Sequence, residues 1–309
     1  MILRRLAAGV PLLLVVTFAL FVLVDLAPGD PARLIAGQEA TEERVEAVRD
    51  ELKLDEPVTS RYVSWLASAG RGELGDSLVA RAPVSELLVS HAAVTISLVA
   101  VTLAVAVVLG FLGGVAAAVR RGSLVDRAVT TMSAVALAVP AFWLGMILVI
   151  FFSVNRRWFP AIDYIGLGED PLEWLRHLVL PSLALAALPA AEFALQVRES
   201  LTSALSSDYV ATARAKGLPE RQVVLKHALR NAVVPVLTVL GYRLAQLIGG
   251  AVTVESVFVL PGLGSLAVSS VFGRDMPMLL GIVAATTVVV LVINLVVDLV
   301  SAWINPRLR

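Results

Sequence analysis

Six stretches of this chain are each long and apolar enough to cross a lipid bilayer as a helix, which takes about 20 residues. They lie at 7–27, 92–119, 128–154, 178–197, 231–254 and 276–305. A backbone placed in hydrocarbon must satisfy its own N–H and C=O groups, so a chain built this way folds as an all-α membrane bundle. Composition agrees: 58% of the residues are hydrophobic and 16% charged, against about a quarter charged in a soluble domain. The second and third stretches hold no charge. As straight helices they would be about 40 Å long, so they must tilt or project beyond the hydrocarbon. The first follows "MILRR" and is longer than the apolar core of a secretory signal, so it reads as an uncleaved first span.

The charges between the spans fix an orientation. With the N-terminus inside, the inner segments carry thirteen basic residues against four acidic, and the outer segments eleven basic against eighteen acidic. This asymmetry follows the positive-inside rule and places both termini in the cytoplasm of a cell-membrane protein in contact with lipid. The chain then divides into a first transmembrane helix (1–27), an extracytoplasmic loop subdomain (28–91) and a five-helix core (92–309). In the loop, "TEERVEAVRDEL" predicts a helix capped by Thr41, with Glu42 and Glu43 at its positive end and Val45, Val48 and Leu52 as an apolar stripe. A second helix is expected after Pro57, with Val58, Tyr62 and Trp65 on one side.

Several chemistries have no support. There are no cysteines and only three histidines, His91, His177 and His227, far apart in sequence, so neither disulfide nor metal-site spacing is present. No GxSxG, HExxH or phosphate-cradling GxxxxGK[ST] occurs, so neither catalysis nor ATP hydrolysis by this chain is expected, and no nucleic-acid partner either. Asp76, in "GELGDSL", falls outside the bilayer without a partner.

Charges inside spans are functional candidates because burying them in lipid is costly. Glu192, Asp298 and Arg243 lie about 9, 12 and 18 Å from the cytoplasmic ends of their helices. Arg243 either faces an aqueous path between helices or forms a structural ion pair with Glu192 or Asp298. Pro140, Pro181, Pro189 and Pro235 lie in or near spans and remove helical donors.

The segment from Asp208 to Asn231, "DYVATARAKGLPERQVVLKHALRN", interrupts this apolar chain with a net charge of +3. Asp208 to Lys216 is rich in helix formers. Gly217 then ends that helix as a C-cap glycine would, and Pro219 opens a second helix that leads into the fifth span. The small residues Ala211, Thr212, Ala213 and Ala215 leave a face suited to close packing in another protein's groove. A plain basic juxtamembrane loop that sets topology or binds anionic lipid is the other reading of the residues alone.

The stretch resembles the cytoplasmic "EAA" loop of ABC-importer permeases. Aligned on Gly217, Ala211, Thr212 and Ala213 fall at the Glu-Ala-Ala positions, while His227, Leu229 and Arg230 stand at the Ile, Leu and Pro positions. The form "DYVATARAKGL" is similar to that of the dipeptide/oligopeptide/nickel permease family. "LAPGDPA", "DEPVTSRYVSWL", "GELGDSL", "VPAFWLGMILVIFF" and "VESVFVLPGLGSLAVSSVFGRDMPMLLG" resemble further motifs of that family in order along nearly the whole chain.

The resemblance implies a type I ABC-importer permease fold of six transmembrane helices with a coupling loop at 198–230. Asp208, Tyr209, Ala211, Thr212, Ala213, Arg214, Ala215, Lys216 and Gly217 would dock into an ATPase cleft. It implies as partners a second, homologous permease, two cytoplasmic ATPase subunits carrying ATP and Mg, and an extracytoplasmic substrate-binding protein, with no cofactor on this chain. The implied cargo is a dipeptide or oligopeptide, with nickel, haem, glutathione or sugar-linked cargo as alternatives. From other classes, a self-contained ion-coupled transporter would use Glu192, Arg243 and Asp298 as a relay, and a membrane scaffold would carry no flux.

Overall fold

The computed structural model describes the backbone of residues 2–26, 30–37, 40–51 and 53–304, and among these it leaves the side chains of 2–8, 24–25, 31, 34–35, 51, 230–242, 244–245, 297–298 and 300–304 undescribed. The described secondary structure is helical apart from one isolated bridge, Asp76 to Pro83. The helices are α1 (Ile2–Asp25), α2 (Pro31–Ala36), α3 (Glu42–Glu51), α4 (Val58–Ala69), α5 (Val84–Val119), α6 (Leu124–Ala138), α7 (Ala141–Leu148), α8 (Pro171–Leu205), α9 (Asp208–Ala215), α10 (Glu220–Gln222), α11 (Leu229–Phe258), α12 (Leu263–Phe272) and α13 (Met276–Ile304). A π-helical segment, Val149–Asn155, continues α7, and another, Val223–Ala228, joins α10 to α11.

Two compact units emerge. The first comprises residues 1–92 and 266–291. Within it, the amide of Arg44 donates to Thr41 Oγ1 at 3.4 Å, the expected cap of α3. Val45 and Val48 bury against Ala32 of α2, while Leu52 lies outside the described residues. Arg49 reaches Asp30 at 2.6 Å across this small core. Helix α4 packs on α1 through Tyr62, whose hydroxyl donates to the Leu14 carbonyl at 3.0 Å and lies 2.9 Å from the Thr17 hydroxyl. The rings of Phe18 and Phe21 stand edge-on to it. Asp275 precedes α13 and accepts the Met278 amide at 3.2 Å, as well as the Ser77 hydroxyl at 2.5 Å. In "GELGDSL" it is therefore Ser77, next to Asp76, that makes the buried polar contact.

The second unit comprises residues 93–265 and 292–309 and is built around α8, against which α6, α7 and α11 pack. Its largest core joins Val94 and Leu98 of α5, Leu178, Leu180 and Leu185 of α8, and Leu247, Val254 and Phe258 of α11. Helix α5 approaches α8 through two glycines one turn apart. A β-carbon on Gly114 would lie 2.6 Å from both the Ala194 carbonyl and Val197 Cβ, and one on Gly110 would collide with Phe193. Between apolar helices in lipid there is little hydrophobic drive to associate, so such backbone proximity supplies the attraction.

Among the described residues, Val84–Val119, Pro171–Leu205 and Met276–Val296 are long and apolar enough to cross a membrane unaided. The third expected span, 128–154, is not one straight helix: α6 and the helix from Ala141 to Asn155 meet at 105°. Pro140 has no amide to continue the ladder, and Val139 before it is extended (φ −93°, ψ 123°), as a residue preceding proline prefers. Pro181 and Pro189 have the same chemistry, yet α8 runs through both.

Candidate functional site

Helix α9 and the turn after it form a self-contained structure. Ser207 precedes the helix in an extended conformation, and Thr212 Oγ1 donates to the Asp208 carbonyl at 2.9 Å. At the other end, the Gly217 amide donates to the Arg214 carbonyl at 2.9 Å and the Leu218 amide to the Ala213 carbonyl at 3.4 Å. This pair of bonds is a Schellman cap, which needs a left-handed residue between them. Gly217 supplies it at φ +75°.

The helix has two faces. Val210 and Ala213 are buried with Ala118 of α5, Leu201 of α8 and Val223, Val224 and Ala228. Asp208, Tyr209, Ala211, Thr212, Arg214, Ala215, Lys216 and Gly217 are exposed. Of the small residues the sequence singles out, Ala213 thus faces inward and Ala211, Thr212 and Ala215 outward. Tyr209, 43% exposed, is a large side chain on the outer surface. Arg214 spans the turn and donates to Glu220 twice, at 3.1 and 2.6 Å. That bond holds the Glu220 carboxyl below its ordinary range and pushes the Arg214 guanidinium above its own. The outcome is an amphiphilic knob whose apolar side is anchored to three helices and whose outer side is small, polar and aromatic.

The structure brings Arg243 of α11 to Glu192 of α8 as an ion pair, with Gln246 as a second partner of the guanidinium. Both charged side chains are about one-fifth exposed. Asp298 lies in α13, with its side chain outside the described residues.

Two polar constellations are not singled out by the sequence reasoning. Glu255 is wholly buried, although its position one residue beyond the fifth apolar stretch assigns it to an outer loop. Its Oε2 accepts the Gly264 amide at 2.7 Å and the Ser265 amide at 3.0 Å, capping α12. Its Oε1 accepts the Thr95 hydroxyl at 2.6 Å, and Thr95 in turn accepts the Leu263 amide at 2.8 Å. Gly262 and Gly264 leave room for this carboxylate: a β-carbon on Gly264 would lie 2.8 Å from it and one on Gly262 would overlap it. The available signal is a glutamate followed within ten residues by "PGLG". The second constellation is Asp126 at the start of α6, gripped by Arg198 of α8 through two bonds, one of 3.0 Å.

Among the described residues no group of histidine, aspartate or glutamate could hold a metal ion.

Residues 106–309 match the family described as binding-protein-dependent transport system inner membrane component, and residues 1–99 match its N-terminal companion. A putative peptide transport system permease protein of Brucella abortus (strain 2308) is 40% identical over 309 residues, covering 100% of this chain and 98% of the relative. A glutathione transport system permease protein of Escherichia coli O6:H1 is 42% identical over 308 residues, with the same coverage of each. Among solved structures, the inward-facing MetNI methionine ABC transporter matches with a TM-score of 0.54 at 20% identity, over 71% of this chain and 96% of that one. At that identity the match shows a shared fold.

Proposed function

This chain belongs to the family of binding-protein-dependent transport system inner membrane components, and we propose that it is one permease subunit of an ATP-driven importer for dipeptides or oligopeptides. The observation that carries this reading is the two-faced α9 knob. Its inner face packs with α5, α8 and the 223–228 segment. Its outer face offers small residues, one tyrosine and a rigid Gly217 turn to another protein. Arg214, Lys216, Arg221, Lys226 and Arg230 fall in this region, which supports a cytoplasmic position for it and for both termini.

In this reading Asp208, Tyr209, Ala211, Thr212, Ala215, Lys216 and Gly217 seat in a cleft of a cytoplasmic ATPase, while Val210 and Ala213 tie the helix to the spans. Two such ATPases carry ATP and Mg. A second, homologous permease forms the other half of the path, and a binding protein delivers cargo from outside. ATP-driven closure of the ATPases displaces α9, and the spans follow because the knob is packed on them. Peptide cargo is supported by the full-length relatives, one a putative peptide and one a glutathione transport system permease, glutathione being itself a tripeptide.

The test is purification from native membranes in mild detergent, with Ala211→Arg and Gly217→Asp variants in parallel. Aspartate tolerates left-handed backbone better than most residues, so Gly217→Asp adds a charge to the turn without forbidding it. The expected result is an ATPase pair and a second permease with the wild type, and loss of the ATPases alone from both variants. A wild-type chain that arrives without ATPases, or variants that keep them, contradicts the docking role.

A further inference from the structure

The two-bond pair between Asp126 and Arg198 occupies a position that the packing of α9 makes consequential. Asp126 is 4% exposed and lies in the first turn of α6, where a negative charge is favoured by the helix's own amides. Its Oδ2 also accepts the amide of Gly122 at 2.9 Å, and its own amide donates to the Ser123 hydroxyl at 3.4 Å. The α5–α6 turn, with Gly122 at φ +79°, is thereby closed onto the same carboxylate that Arg198 holds.

Arg198 sits on α8 three residues before Leu201, one turn of helix. Leu201 is fully buried in the same apolar cluster as Val210 and Ala213 of α9. A displacement of α9 therefore reaches Leu201 directly and Arg198 within the same rigid helix. From Arg198 it reaches α6 through a guanidinium fork, which fixes angle as well as distance. An apolar contact at this point would allow the helices to slide. Helix α6 ends at the Pro140 break, so a push on its first turn acts on the 105° corner between α6 and α7.

We propose that Asp126 and Arg198 are positioning residues, a strut that transmits movement of the 208–217 knob into the broken α6–α7 span. This rests on the reading of that knob as the ATPase-docking element.

The experiment uses the whole complex in liposomes and measures ATP hydrolysis and peptide uptake together. The variants are Asp126→Asn, which keeps the Gly122 bond but removes the charge, and Arg198→Lys, which keeps the charge but removes the fork. Both complexes are expected to assemble and to hydrolyse ATP at near the wild-type rate. Uptake per ATP is expected to fall about tenfold in Asp126→Asn, within the range of coupling between sites, and less in Arg198→Lys. Unchanged uptake per ATP in an intact complex overturns the strut while leaving the docking reading in place. Loss of assembly or of both activities in parallel in the two variants also overturns it, because the pair is then structural alone. A wild-type complex that lacks ATPases overturns both.

Discussion

The chain breaks its helical course in two comparable places and stabilises them by different means. After α9 the break at Gly217 is exposed, charged and closed by bonds within a few residues. After α11 the break at 259–262 is apolar, and beside its local bonds, among them the Leu260 amide to the Glu255 carbonyl at 2.9 Å, it is closed by side chains from a distance. There Val259 takes the left-handed conformation that Gly217 takes in the other turn, at φ 51°, at a cost of roughly 1–2 kcal/mol for a residue with a β-carbon. The amides that open α12 have no local side chain to meet them. They are met by Glu255 on the preceding helix and by Thr95 on α5. A break bathed in water needs only the right backbone, because water satisfies what remains. A break inside an apolar unit needs a dedicated polar group, and that group must itself be fully bonded.

The comparison can be broken most severely at Glu255. Glu255→Leu leaves the Thr95 hydroxyl and the Gly264 and Ser265 amides without an acceptor, at about 1–3 kcal/mol for each. The protein should fail to accumulate in membranes or lose its thermal transition in detergent, whereas Glu255→Gln should retain part of it. Next is Gly264→Val. A β-carbon there falls 2.5 Å from the Val252 backbone, while Gly249 has nothing within 4 Å among the described residues. A marked drop in melting temperature for Gly264→Val, with almost none for Gly249→Ala, is expected. If both glycines prove equally tolerant, the carboxylate does not set that spacing.

Gly217→Val should cost about 1–2 kcal/mol, all of it backbone strain, since Gly217 has nothing within 4 Å of a β-carbon. Gly217→Asn should melt close to wild type, which the same melting curves would check. The smallest effect belongs to the Arg214–Glu220 bond. The Glu220 carboxyl is lowered from 4.5 by that bond, so the bond contributes its stability above the ordinary carboxylate range and loses it as pH falls through the lowered value. Melting curves of wild type and Glu220→Gln should differ slightly at neutral pH and converge in acid. A difference that grows in acid would reverse the sign.

These two breaks also mark what the sequence discloses. The helix and turn of the α9 knob are legible because what makes them is local: a run of helix formers, a charge density foreign to its surroundings and one glycine; its anchoring to Ala118 and Leu201 is not. Glu255 is not, because its partner Thr95 is 160 residues away and a glutamate at the edge of an apolar stretch reads as an outer-loop charge. The Arg243–Glu192 pairing lies between these cases: two charges inside spans must find company, yet periodicity alone leaves Glu192 and Asp298 as equal candidates. Proline shows the same limit. Pro140 breaks its span while α8 passes through Pro181 and Pro189, and the difference lies in tertiary packing. The buried face of α8 is held by neighbours on several sides, and that support keeps the helix continuous past two missing donors.

The measurement that bears most directly on the whole is uptake of a labelled dipeptide into liposomes containing the purified complex. ATP is supplied on the side bearing the 208–217 knob, and the binding protein on the other. Uptake that requires both additions and ignores a proton gradient is the predicted result. Uptake by this chain alone, driven by a proton gradient and indifferent to ATP, would contradict it and make Glu192 and Arg243 the place to look for the relay.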